Sequence, residues 1–72
     1  MLDVVEKELK RAGLDYTRIP RSAGGSPEMI QTESGAIIYM HNPMTIALQE
    51  HGGKNYGYSP DKVHELVQDL QS

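Results

Sequence analysis

The sequence predicts a small α+β domain, and three observations carry that expectation. Apolar residues recur at helical spacing at both ends of the chain. Between them lie short runs of β-branched and aromatic residues. A three-residue turn ending in glycine joins two of those runs. Read together they give one domain over residues 1–72, a three-stranded sheet containing a β-hairpin, and the order αβββαα.

Leu2, Val5, Leu9 and Ala12 share one face of the first helix, with Glu6, Lys7, Glu8, Lys10 and Arg11 on the others. Asp3 is placed to cap it, with Glu6 three residues on, and Gly13 supplies the left-handed stop. Residues 14–19 hold Tyr16, Thr17 and Ile19 and end at Pro20, which suits a short edge strand. Residues 21–27 are small and flexible and read as a loop.

Residues 28–32 and 36–41 flank Glu33-Ser34-Gly35, so they form the hairpin, with Gly35 in the left-handed position. The second arm is the most continuous apolar stretch and is expected to be central and covered on both faces. Asn42-Pro43 resembles a cap followed by a first-turn proline, leading a short helix with Met44, Ala47 and Leu48 on one face and Gly52-Gly53 at its end. Residues 54–57 read as irregular. Ser59 caps the last helix, Pro60 opens it, Tyr58 staples onto Val63, and Val63, Leu66, Val67 and Leu70 form its stripe.

With 72 residues and no cysteine, one modest core must suffice without disulfides or thiolate-bound zinc. The formal charge of −3 disfavours general affinity for nucleic acid or anionic membrane. The short apolar runs and the N-terminus argue against membrane spanning and export, and the lack of cysteine suits a reducing, cytoplasmic setting.

Candidate chemistry is sparse. His41, His51 and His64 lack metal-binding spacing, so neither a metal nor a cofactor is expected. Arg18, Arg21, Gly24, Gly25 and Ser26 could form an anion or nucleic-acid site from backbone amides and two guanidiniums. Tyr39, Met40, Met44, Tyr56 and Tyr58 are the residue types that enrich interface cores, so they form a candidate protein-binding surface.

The order of motifs resembles the VRR-NUC branch of the restriction-endonuclease-like nucleases. Glu6 or Glu8 stands for a helix glutamate, followed by Tyr16-Thr17-Arg18-Ile19. Gly25-Ser26-Pro27-Glu28-Met29-Ile30 is similar to a Gly-x-Pro-Asp hairpin start. The run from Ser34 through Met40 stands for the next strand, and Ser59-Pro60-Asp61-Lys62 is similar to a Ser-Pro-Glu-Gln helix opening. The resemblance implies Mg²⁺ or Mn²⁺ held by carboxylates, and activity here would have to use Glu6 and Glu28 with His41 in an unusual arrangement. Yet Met40-His41-Asn42-Pro43 replaces the family's Glu-x-Lys, and Lys62 replaces a glutamine.

The expected function is therefore a non-catalytic regulatory or inhibitory binding protein of bacterial or phage type that acts on a protein target. A metal-dependent nuclease or nucleic-acid binder is the alternative. A homodimer paired through the edge strand around Tyr16 is a third expectation.

Overall fold

A computed structural model describes residues 2–25 and 27–71. Helix α1 (Leu2–Arg11) precedes five strands: β1 (Tyr16–Ile19), β2 (Met29–Thr32), β3 (Ile37–Asn42), β4 (Thr45–Gln49) and β5 (Asn55–Tyr58). A 3-10 turn (Pro60–Lys62) then opens helix α2 (Val63–Gln71). The strands lie in sequence order as an antiparallel meander.

The fold is α+β, but the sheet has five strands rather than three, and the order αβββαα is corrected to αβββββα. The segment read as a short helix is the β3–β4 turn followed by β4. Asn42 does cap a backbone amide, but its Oδ1 accepts from Met44 N–H at 2.8 Å and closes a tight turn. Proline fixes a negative φ, and no non-glycine residue among those described has a positive one, so Pro43-Met44 cannot adopt the primed turn that matches strand twist. The register shift between Met40 and Asn42 supplies a local bend instead. Gly52 and Gly53, expected to end that helix, have φ of +118° and +95° and close the β4–β5 hairpin.

The glycine turns expected at the end of α1 and between β2 and β3 stand, while the two expected side-chain caps do not. At the end of α1, Leu14 N–H donates to Leu9 C=O at 3.0 Å and Gly13 N–H to Lys10 C=O at 3.1 Å, with Gly13 at φ +74°. That is a Schellman termination. In the β2–β3 turn Gly35 has φ +93°, its N–H donates to Thr32 C=O, and Thr32 N–H donates to Ala36 C=O. Thr32 Oγ1 also accepts from Ala36 N–H at 3.1 Å. Asp3 lies inside the first turn of α1 rather than before it. Ser59 occupies the position before the 3-10 turn with extended backbone and no capping bond from its side chain.

Alternation along the strands puts Ile30, Ile38, Ile46 and Leu48 on one face, where they pack fully buried against Leu2, Val5 and Leu9 of α1 and Val63, Leu66 and Val67 of α2. Both helices cover that face. The central strand is thus covered on one side only, contrary to expectation, and its Ile37 and Tyr39 face away from the helices half-buried.

The two readings of residues 44–48 make opposite demands. A helix would bury Met44 with Leu48, whereas the strand buries Ile46 with Leu48 and leaves Met44 71% exposed. Ile46→Ala should cost about 2–5 kcal/mol and Met44→Ala less than about 0.5 kcal/mol in chemical denaturation.

Candidate functional site

The nuclease-type residues converge, but on an arginine. Glu6 and Asp3 stand three apart on α1 and so share the face that meets β1. Arg18 lies opposite Ile30 on the helix side of the sheet. Its Nη1 donates to Asp3 Oδ1 at 3.2 Å and to Glu6 Oε2, and its Nη2 donates to Glu28 Oε1 at 2.5 Å. Tyr16 completes the cluster by donating from its hydroxyl to Glu6 Oε1 at 2.7 Å.

These contacts set the ionisation of the cluster. The Tyr16 hydrogen bond, helped by Arg18 and Lys10 and opposed by burial, holds the Glu6 carboxyl below its ordinary 4.5. The Glu28 hydrogen bond above all pushes Arg18 up, so it stays charged. Burial and Glu6 raise Tyr16, which keeps its proton as donor. Arg18 Nε is buried without a partner, the one uncompensated cost in the group.

Chemically this is a clamp. Glu6 and Glu28 each give an oxygen to the guanidinium, while His41 projects from β3 with the parity of Tyr39, on the opposite face. Among the described residues no group of three or more histidines and carboxylates could hold a metal ion. The expected anion site is likewise divided. Arg18 faces carboxylates, Arg21 and Gly24 lie exposed in the loop, and Gly25 N–H closes a turn onto Ser22 C=O at 3.2 Å. Ser26 lies outside the described residues.

The five expected interface residues do not share a surface. Met40 and Tyr58 pack against the core on the helix side. The Tyr58 hydroxyl donates to Asp69 Oδ2 of α2 at 2.5 Å, and burial with that bond pushes its pKa up. Met44 sits at the β3–β4 turn and Tyr56 on the outer strand, 41% exposed. Tyr39 stands amid the uncovered face, and Tyr56 meets it only at the lining of a hollow toward β5.

That face is the feature the sequence reading missed. Register places Ile19, Met29, Tyr39, Ala47 and Gly57 side by side across all five strands. The neighbouring row is Thr17, Gln31, Ile37, Gln49 and Asn55. Ile19, Met29, Ile37, Tyr39 and Ala47 are only half-buried, although no helix covers them. Although 24% of the chain is charged, neither row contains Asp, Glu, Lys or Arg. Toward β5 the face dips into an open hollow of about 340 Å³ lined by Tyr39, His41, Thr45, Ala47, Asn55, Tyr56 and Gly57. A side chain at Gly57 would begin 3.3 Å from Thr45 Cγ2, so glycine keeps that hollow open. A second hollow of about 300 Å³ lies where α2 meets the sheet end, lined by Leu14, Asp15, Thr32, Glu33, Ser34 and Leu70.

Comparison with known proteins finds no matching family, no matching curated sequence and no matching solved structure. Among the described residues, no helix is long and apolar enough to cross a membrane.

The clamp makes a signed prediction about pH. Glu6 has a folded pKa below its unfolded one, so its contribution is complete above about 4.5 and disappears as pH falls through the lower folded value. Urea melts of wild type should therefore lose stability between pH 5 and pH 3, and Glu6→Gln should be less stable at pH 7 with a shallower fall over that interval. An unchanged slope in Glu6→Gln would remove Glu6 from the clamp.

Proposed function

We propose that this chain is a small non-catalytic binding protein, regulatory or inhibitory in role, whose protein partner docks on the helix-free face of the sheet. The observation that carries the reading is the uncharged row of Ile19, Met29, Tyr39 and Ala47, flanked by amide and hydroxyl side chains. Interface cores are depleted of charge and enriched in tyrosine and methionine, because charges are costly to dehydrate while those side chains offer large contact area. An antiparallel sheet meeting only water on one face alternates to a polar surface there. Here the second face is half apolar.

The nuclease alternative receives less support. Glu6 and Glu28 would have to leave Arg18 before either could serve a metal ion.

The test is affinity capture from cells that encode the protein, using wild type, Tyr39→Glu and Lys7→Glu as baits. A specific partner should bind wild type and Lys7→Glu, which alters exposed α1, and should lose about tenfold or more in affinity for Tyr39→Glu. All three baits should melt within a few degrees of one another. Equal capture by Tyr39→Glu would exclude this face. Salt-sensitive DNA or RNA binding with Mn²⁺-dependent cleavage, abolished by Glu28→Ala, would replace the proposal with the nuclease reading.

A further inference from the structure

We propose that the outer edge of β5 pairs antiparallel with β5 of a second copy, in one register centred on Gly57, to form a continuous ten-stranded sheet. The inference does not rest on the partner reading above.

The hydrogen-bond phase of β5 follows from one contact. Glu50 N–H donates to Lys54 C=O at 2.8 Å, so Glu50 and Lys54 form a bonded pair. Bonded and non-bonded pairs alternate along an antiparallel ladder. Tyr56 and Tyr58 therefore direct their amides toward β4, opposite Leu48 and Ile46, while Asn55 and Gly57 direct theirs to the outer edge.

A two-fold axis normal to the sheet through Gly57 matches these outward groups to themselves. Gly57 would exchange two N–H···O bonds with its counterpart. Asn55 would meet Ser59 of the second copy, whose backbone is extended at φ −77° and ψ 157° and whose C=O, already accepting from Lys62 N–H at 2.8 Å, would take Asn55 N–H on its second lone pair. Tyr56 falls opposite the second copy's Tyr58 in a non-bonded pair, where side chains come closest and aromatic pairs stabilise a sheet. Residues 55–59 carry no charge, and Lys54 meets Pro60, so no like charges are opposed.

The other edge is protected. By the same phase argument from Glu33 N–H and Asp15 C=O, the outward amides of β1 belong to Tyr16 and Arg18. A register centred on Arg18 opposes two arginines, and it runs into Pro20, which has no N–H to give. Charge and proline are the usual guards of an edge. Within β5 itself neither is present.

Sedimentation equilibrium of the full chain should show the mass rising with concentration from 8.0 kDa to twice that value. Asn55→Pro deletes an outward N–H and spares the β4 ladder, so it should raise the dimer dissociation constant about tenfold or more with an unchanged circular dichroism spectrum. Because the chain has no cysteine, Gly57→Cys should cross-link to its own copy on mild oxidation and Thr17→Cys on β1 should not. A constant mass of 8.0 kDa up to about millimolar concentration would overturn the proposal. Cross-linking through Thr17→Cys but not Gly57→Cys would overturn it equally.

Discussion

Two helices of ten and nine residues must cover a sheet five strands wide, and that ratio governs the molecule. Strands about 4.8 Å apart make a sheet roughly 24 Å across, and two helices about 10 Å in diameter fill one face of that width. Every fully buried aliphatic side chain belongs to the single layer between them. Neither described helix lies on the opposite face. What is specific to this sequence is the composition found on that uncovered surface.

The Arg18 clamp lies at one side of that layer. Arg18 sits on an outermost strand, and α1 reaches it through Asp3 and Glu6 while Glu28 approaches from the loop entering β2. One guanidinium thereby ties three segments, in a chain with no disulfide to do so. Half-exposed ion pairs are individually weak. Several donors of one planar group meeting three fixed carboxylates specify geometry better than any single pair. The clamp also occupies the arginine that looked, in sequence, like an anion ligand.

The local punctuation was legible: Gly13 ending α1, Gly35 turning the β2–β3 hairpin, and the apolar stripes of both helices. The second half of the sheet was not, because its signals are degenerate. Asn42 accepts an amide hydrogen bond both as a helix cap and as a turn, and Pro43 suits either. Met44, Ala47 and Leu48 fit helical spacing, while Ile46 and Leu48 fit alternation, and only pairing with Ile38 and Met40 on the far side of the turn decides. Tyr56-Gly57-Tyr58 alternates too, but glycine in its centre weakens a strand signal. The site suffered the same loss. Tyr39 could be singled out as an aromatic, whereas Ile19, Met29 and Ala47 become its neighbours only once the register of three strand pairs is known.

The uncovered face departs from ordinary alternation along one row and, Ile37 apart, keeps to it along the next, and the difference bears on what the surface is for. Thr17, Gln31, Gln49 and Asn55 satisfy water as an exposed sheet should. They are nevertheless all neutral, in a molecule whose ten acidic and seven basic residues are placed elsewhere. Keeping a surface wet requires polarity but not neutrality, and lysine or glutamate would serve solubility better. Neutral amides and hydroxyls beside an apolar row are what a surface needs when it must later lose its water at low cost, since they can exchange hydrogen bonds with another chain without dehydrating a charge.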